Sequence, residues 1–394
     1  MVEKSRSIPK GKSPVIELPL KITLTEDGVN WFIRNNRKLQ RFRLADNVQE
    51  YGLWLHQFSA ATFRKMLVID YLSAIELSRP EFSSRRREIM DLSKLITYEI
   101  LYKRFSAQLL ADFLASPLIK KWNRLNPGHT LDKNSKFDEA LLNAMIDRER
   151  EHLPAIEHEI IAPLIEETIQ NPDVNQDDKQ IQFYLTERLL ENLPKIVWCV
   201  LSRSKSLEEY APLLNEIRDT IRAYLKRSRI AEYLALMIME LATNAEHAHL
   251  HRYASQIYGN EKDLDRLILN PQIRSRLLAR MEKEEALLHL TWKVSGSKAS
   301  IGTEHRLKVI LYNRESDYRQ FKQEIEDKKG IDARHNSLFD FYKESPNRRM
   351  DTELGLYYLS YLHEACTEEQ IRFESQVSQI PRNDLTVMTL SLQF

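Results

Sequence analysis

The sequence predicts a mostly α-helical N-terminal bundle followed by an α+β two-layer sandwich. Glycine is scarce, with 9 residues in 394, and Leu, Ile, Glu, Lys and Arg are abundant, a composition that favours long helices over turn-rich barrels. Apolar residues recur at helical spacing through most of residues 31–225. From about residue 228 the order becomes helix, two strands, helix, two strands, which is typical of helices packed on one face of a sheet.

Composition and periodicity divide the chain into four segments. Residues 1–14 are basic and contain two prolines and one glycine, so we expect a flexible arm. Residues 15–125 are expected to form an N-terminal helical region. Residues 126–227 are expected to form a second helical region that serves as a linker or dimerisation bundle, and residues 228–394 an α+β domain.

Local patterns predict the elements of the N-terminal region. Residues 15–25 are expected to form a short strand or an extended docking segment. Apolar residues at helical spacing predict helices over 54–76 and 92–118. Between these helices, residues 78–87 contain Pro80 and three consecutive arginines, which predicts a loop that leads into a helix start.

The remaining elements follow from the same two periods. Asn-Pro-Gly at 126–128 ends the first block, helical spacing resumes over 136–170, and a polar loop occupies 171–178. Two helices are then predicted, over 179–202 and 207–225. The α+β domain is predicted to contain a helix over 228–253, strands over 287–294 and 306–313, a helix over 354–365, and strands over 370–375 and 385–394.

Bulk charge and cysteine usage exclude several classes of protein. Lys and Arg number 58 against 57 Asp and Glu, so no nucleic-acid partner is expected. Neither a signal peptide nor an apolar run long enough for a membrane span is present, and we expect a soluble, cytoplasmic protein. Cys199 and Cys366 do not suggest a disulfide framework, and no zinc site is expected.

The first motif with chemical content lies in the long helix of the α+β domain. Residues 240–248 read Glu-Leu-Ala-Thr-Asn-Ala-Glu-His-Ala. Glu240 and Asn244 are four residues apart, so they share one face of a helix. A carboxylate and an amide oxygen presented together suit Mg²⁺, which prefers oxygen ligands. An ordinary amphipathic helix that happens to carry both residues is the alternative.

This stretch resembles the asparagine box, roughly E-L-x-x-N-A-x-x-H-A, of the histidine kinase, gyrase, heat-shock-ninety and MutL ATPase superfamily. The resemblance implies that Asn244 holds the Mg²⁺ that bridges the phosphates of ATP. It implies that Glu240 is the base, and that His247 stands where many kinases have a lysine that contacts phosphate. It also implies a two-layer fold of the histidine-kinase ATPase type, with a mixed sheet and helices on one face.

Further elements follow in the order of that family. Residues 351–359 resemble the last glycine box, G-T-G-L-G-L-x-x-V, in which Gly355 and Leu356 would approach the nucleotide at a helix start. Residues 338–343 are similar to a shortened phenylalanine box of the ATP lid. The strands over 370–375 and 385–394 match the family's ending.

The glycine boxes are degenerate. Asp351 and Glu353 replace two glycines of the last box and would bring negative charge near the ATP phosphates. The other box, D-x-G-x-G, is replaced by a sequence in which Asn313 stands for the adenine-binding aspartate and no glycine follows. The resemblance therefore implies the fold more strongly than it implies ATP binding.

A phosphoacceptor is expected in a working histidine kinase. His158 opens the sequence His-Glu-Ile-Ile-Ala-Pro-Leu, which resembles the phosphoacceptor box H-E-L-R-T-P-L. A histidine beside an acid can be oriented as a nucleophile. A surface histidine on an amphipathic helix is the simpler interpretation.

The leading hypothesis is a signalling or regulatory protein with a degenerate ATP-binding domain, a pseudokinase that acts through contacts with a signalling partner. The resemblance also implies a homodimer. One alternative is an active histidine kinase or ATPase that uses ATP and Mg²⁺, with Glu240 as base and His158 as acceptor. A second alternative is a purely helical interaction scaffold.

Overall fold

The computed structural model describes residues 15–45, 48–128, 130–132, 135, 139–148, 151–172, 174–203, 207–259, 264–296, 305–313, 334–338, 350–380 and 385–394. The chain divides into two compact units. The first consists of Met1–Ile100 and Ile230–Phe394, and the second of Leu101–Arg229.

All of the described strands belong to the first unit. They are β1 (Val15–Ile16), β2 (Leu20–Leu24), β3 (Gln40–Ala45), β4 (Val48–Leu55), β5 (Phe58–Ser59), β6 (Leu72–Arg79), β7 (Leu288–Gly296), β8 (His305–Asn313), β9 (Arg334–Ser337), β10 (Arg372–Ile380) and β11 (Leu385–Gln393). Nine of the described strands form one sheet in the order β3-β4-β2-β6-β7-β8-β11-β10-β9, while β1 pairs with β5. Every pairing among the described strands is antiparallel, so the expectation of a mixed sheet was wrong.

The described helices lie in both units. They are α1 (Glu26–Arg34), α2 (Ala60–Val68), α3 (Arg86–Ala115), α4 (Pro117–Leu125), α5 (Glu139–Arg148), α6 (Leu153–Gln170), α7 (Gln176–Glu191), α8 (Lys195–Arg203), α9 (Leu207–Tyr258), α10 (Leu264–Leu269), α11 (Pro271–Lys283) and α12 (Met350–Glu368). A short 3₁₀ helix, Ser83–Arg85, precedes α3. The division between the units falls within α3 and within α9.

Side-chain caps explain where several helices begin. Ser116 accepts a hydrogen bond from the backbone N–H of Ile119 at 3.4 Å, and a proline follows it at the first helical position of α4. Asn270 caps α11 in the same way and is also followed by proline. In each case the polar side chain accepts from a free N–H group at the helix start, and the proline that follows has a φ angle already suited to a helix. Both helix starts are therefore encoded by the local sequence.

One face of the large sheet carries a continuous apolar row. Residues that are directly paired across antiparallel strands point to the same face. The register pairs Ile22 with Ile75, Ile75 with Trp292, Trp292 with Val309, and Val309 with Leu390. All five side chains are buried. The core of the first unit therefore spans strands from both ends of the chain.

The N-terminal region is the main correction to the sequence prediction. Residues 15–125 do not form a helical region, because five strands precede residue 60 and β6 follows α2. The predicted helix over 54–76 instead contains the end of β4, then β5, α2 and part of β6. The strand β6 is central and mostly buried on both faces, so its sequence does not show the period-two alternation of a half-exposed strand. The purely helical fold of the second alternative was therefore also wrong.

Most of the other predicted elements were confirmed. The two predicted strands after the long helix are β7 and β8, the next helix is α12, and the last two strands are β10 and β11. Residues 78–87 do lead into a helix start, at α3. The described elements of 126–227 are all helices, although 179–202 is divided between α7 and α8. The α9 helix is continuous through residue 228.

Candidate functional site

Glu240 and Asn244 occupy one strip of α9. The side-chain N–H of Asn244 donates to Glu240 Oε1 at 3.1 Å, and both side chains are half-buried. At 3.6 residues per turn, Tyr233 lies within about 40° of both residues around the helix axis. Its ring stacks on that of Tyr361 in α12, with centroids 6.0 Å apart. The strip that carries the asparagine-box pair therefore faces the side of α9 on which α12 lies.

The end of the sheet where β7 begins also holds the end of β8 and the later part of α9. Asn313 ends β8 and is paired with Thr386 near the start of β11. His289, near the start of β7, is paired with Tyr312. His249 of α9 forms a hydrogen bond between its Nε2 atom and the carbonyl of Ala286 at 3.1 Å, just before β7. We call this the motif end of the sheet.

The start of α12 lies at the motif end as well. The N–H of Ile371 donates to the carbonyl of Cys366 at 2.8 Å, so α12 turns directly into β10 and runs antiparallel to it. Since β10 finishes at the motif end, α12 begins there, and α9 and α12 run in opposite directions. At 1.5 Å per residue from the stacked tyrosines, Glu240 lies about 10 Å along α9 and Gly355 about 9 Å along α12 toward the motif end. Glu240 and Gly355 are therefore at nearly the same level.

A second cluster lies on the other flank of α9, around Glu246. This carboxylate is only 3% exposed. It accepts hydrogen bonds from the N–H of Phe82 at 2.7 Å and from the N–H and hydroxyl of Ser83, both at 2.9 Å. Arg274 of α11 also donates to it. A carboxylate at this position satisfies free N–H groups where the 3₁₀ turn and α3 begin.

Arg274 joins this cluster to a second acid. Its guanidinium donates to Glu81 at 2.8 Å as well as to Glu246. Burial would lower the pKa of Arg274, but its hydrogen bond with Glu81 and the charge of Glu246 outweigh burial and raise that pKa. A cavity of about 500 Å³ adjoins the cluster and is lined by Glu81, Ser83, Ser84, Thr243, Glu246, His247 and Arg274.

His247 lies at the rim of this cavity rather than on the strip of Glu240. Its side chain is exposed, its Nε2 atom is 3.6 Å from Asp265 Oδ1, and its ring stacks on His251 at 6.4 Å. The carboxylates of Glu81 and Glu246 line the same cavity. These carboxylates repel a phosphate group. The phosphate-contacting role expected of His247 stays a prediction.

The remaining predicted residues are distributed as follows. His158 is an exposed residue of α6 in the second unit. Gly355 is buried and Leu356 half-buried near the start of α12. Leu338 is buried, but residues 339–343 of the proposed phenylalanine box lie outside the described residues. The side chains of Asn313, Asp351 and Glu353 also lie outside what the structure describes.

The donor set at the strip can be compared with what Mg²⁺ requires. Asn244 and Glu240 provide oxygen atoms, which Mg²⁺ prefers, and a bound nucleotide would supply the other ligands. Within the described residues, no group of three or more His, Cys, Asp and Glu side chains is arranged to hold a metal ion without such help.

None of the helices in the described part of the chain is long and apolar enough to cross a membrane.

Sequence reasoning missed the cluster around Glu246. Phe82 and Ser83 are 164 and 163 residues away from Glu246 in the chain. The only local signal was the predicted helix start after residue 78, which implies free N–H groups that need an acceptor. Nothing in the sequence indicated that the acceptor would come from α9.

Comparisons with known proteins extend over almost the whole chain. The model of a family of unknown function (DUF8084) matches residues 11–394. A protein of Treponema pallidum (strain Nichols), described as "Uncharacterized protein", is 33% identical over 386 residues, covering 98% of this chain and 99% of that protein. No solved structure matches.

Proposed function

Since the chain belongs to DUF8084, a family of unknown function, we propose its role from geometry: a signalling or regulatory protein with a degenerate ATP-binding domain of the histidine-kinase type. In this proposal nucleotide is bound weakly or not at all, and contacts with a protein partner carry the signal. The homodimer and the cytoplasmic location expected from the sequence stay predictions.

The convergence of separate motifs carries the proposal. Glu240, Asn313 and Gly355 belong to three segments of the chain, and all three lie toward the motif end of one sheet. The stacked rings of Tyr233 and Tyr361 fix the position of α9 relative to α12 along the helix axes. Measured from these rings, Glu240 lies at nearly the same height as Gly355 near the start of α12. An amphipathic helix with an accidental Glu and Asn gives no reason for this convergence. The pairings among the described strands are all antiparallel, unlike the mixed sheet that the resemblance implies.

The degenerate glycine box explains why binding is proposed to be weak. Glycine lets a backbone approach phosphate closely, and a helix start favours anions. Asp351 and Glu353 replace two such glycines at the start of α12. Two negative charges at that position repel the phosphates of ATP.

The test is restoration of the box. Mg-ATP is titrated against the full chain while the melting temperature is followed, since a ligand that binds only the native state raises it. We expect little change for the natural sequence and a saturable rise for the double variant Asp351→Gly, Glu353→Gly. Adding Asn244→Ala to the double variant should remove that rise.

Two outcomes decide against the proposal. If the double variant binds no better than the natural sequence at millimolar nucleotide, the resemblance does not describe this site. If the natural sequence binds tightly and Asn244→Ala abolishes binding, the active kinase or ATPase is favoured instead. In that case labelled phosphate on the protein, lost in His158→Gln, would assign the acceptor.

A further inference from the structure

The strand β3 forms one end of the nine-stranded sheet. Among the strands that the structure describes, it pairs with β4 alone. Half of the N–H and C=O groups of an edge strand point away from the sheet, so such a strand can pair with another chain. The register shift between Arg43 and Ala45 limits the regular edge to the first part of β3.

The chain around this edge is strongly basic. Residues 34–43 contain four arginines and one lysine and no acidic residue, although the whole chain has a net charge of only +1. Arg37, Lys38 and Arg41 are exposed. Natural edge strands often carry such charges because they discourage unwanted pairing. That role explains the basic residues but not the exposed aromatic residues beside them.

Exposed aromatic side chains lie beside the basic edge. Trp54 of β4 is 47% exposed and contacts the ring of Phe42 edge-on, with centroids 6.1 Å apart. The ammonium group of Lys21 lies over the Phe42 ring, 4.6 Å from its centre. Tyr51 is 37% exposed. Aromatic residues together with arginine are enriched at protein interfaces, whereas an edge that only resists pairing gains nothing from an exposed Trp.

Arg41 and the contacting pair Phe42 and Trp54 lie on opposite faces of the edge. Arg41 is paired with Tyr51, so these two point to one face. Phe42, the next residue, points to the other face, where it contacts Trp54. A strand added to β3 would therefore meet Arg41 with one set of alternate side chains and Phe42 with the other.

We propose that β3 is a docking edge for an extended segment of a partner protein in which acidic and apolar residues alternate. The acidic side chains pair with the face of Arg41, and the apolar ones cover Phe42 and Trp54. Backbone pairing supplies affinity, and the alternation supplies specificity. A second copy of this chain fits less well, because it brings the same basic run against itself and like charges on facing strands are destabilising. This surface does not depend on the nucleotide site.

The experiment uses labelled peptides and the full chain. The probe is a fluorescent peptide that alternates Val and Glu, and its anisotropy is followed as protein is added. One control peptide has the same composition with the Val and Glu residues in separate blocks, and another has a central Pro, which cannot donate to a strand pair. We expect the alternating peptide to bind at least about tenfold more tightly than either control.

Charge reversal tests the assignment to β3. Arg41→Glu should weaken binding of the Val–Glu peptide by about tenfold or more and should create binding of a Val–Lys peptide. The matched control is Arg87→Glu, since the Arg87 side chain is 92% exposed on α3 in the same unit. Circular dichroism establishes that both variants remain folded.

Four results would overturn the proposal. The first is that the block peptide binds as tightly as the alternating peptide, and the second is that Arg87→Glu weakens peptide binding as much as Arg41→Glu does. The third is that a single-stranded oligonucleotide binds more tightly than the peptide and depends on Arg41. The fourth is that the protein sediments as a dimer that Arg41→Glu dissociates. The first two indicate non-specific charge attraction, the third a polyanion site, and the fourth an interface between copies.

Discussion

Removing the carboxylate of Glu246 should destabilise the start of α3. The side chain accepts from two backbone N–H groups and one hydroxyl at 82–83, and from Arg274. Phe82 is 0% exposed, so its N–H cannot form a hydrogen bond with water when the acceptor is removed. The perturbation is Glu246→Ala, with Glu246→Gln as the variant that keeps the shape and an acceptor oxygen.

The magnitude follows from the contacts. Leaving a buried donor without its acceptor costs about 1–3 kcal/mol, and more where a charged group is involved. We expect about 3 kcal/mol for Glu246→Ala, because the N–H groups of Phe82 and Ser83 both lose their acceptor while Arg274 keeps Glu81. In Glu246→Gln the amide oxygen still accepts, but neutral hydrogen bonds are roughly half as strong as charge-assisted ones, so we expect a loss of about 2 kcal/mol.

The assay is hydrogen exchange of the backbone amides at the start of α3, together with urea unfolding. A loss of about 3 kcal/mol corresponds to about 160-fold faster exchange. The matched control is Glu88→Gln in the first turn of α3, whose partner Arg85 is 2.9 Å away and partly exposed. Pairs of this kind contribute about 0–1 kcal/mol. Equal exchange rates in Glu246→Ala and Glu88→Gln would refute the assignment of Glu246 as the acceptor.

Two further predictions concern the sheet and the thiols. A Cβ at Gly52 would lie 1.8 Å from the backbone oxygen of Ile22, so Gly52→Ala should lower the free energy of unfolding by about 3 kcal/mol or more. Gly128→Ala, which meets no atom within 4 Å, should not, and equal urea midpoints would contradict the β2–β4 register. Burial raises the pKa of Cys366 to about 12, so this thiol stays protonated below that pH and should resist N-ethylmaleimide at about pH 8 until the protein unfolds. Rapid native labelling of Cys366 in a mass spectrum would contradict this.

The sequence predicted elements well where one local period dominates. The strand β11 alternates between apolar and polar residues from Met388 to Gln393, and its bounds differ from the prediction by one residue. The central strand β6 could not be recognised, because burial on both faces removes the alternation. Its partners β2 and β7 come from opposite ends of the chain. No local pattern reports such a pairing, so the joining of residues 15–79 to the C-terminal sheet was not predicted.

The site was predictable to the extent that it depends on one helix. Four-residue spacing puts Glu240 and Asn244 on one face of α9, and the hydrogen bond between them agrees with that expectation. The cluster of Glu246 depends on contacts with the start of α3 and with α11. Sequence separation hides such contacts, so a motif can contain a structural residue that sequence reasoning takes for a spacer.

Packing accounts for only part of the asparagine-box resemblance. Leu241 and Ala245 are buried in the core, and Glu246 is held by the start of α3, so the folding of α9 is sufficient reason for these three residue types. Glu240 and Asn244 are half-buried on the strip that faces the side of α12. A stable helix does not require a carboxylate beside an amide there, since helix formers without polar groups would serve as well. The functional argument therefore rests on this pair, and restoring the glycine box opposite it tests that argument without disturbing the core residues of the motif.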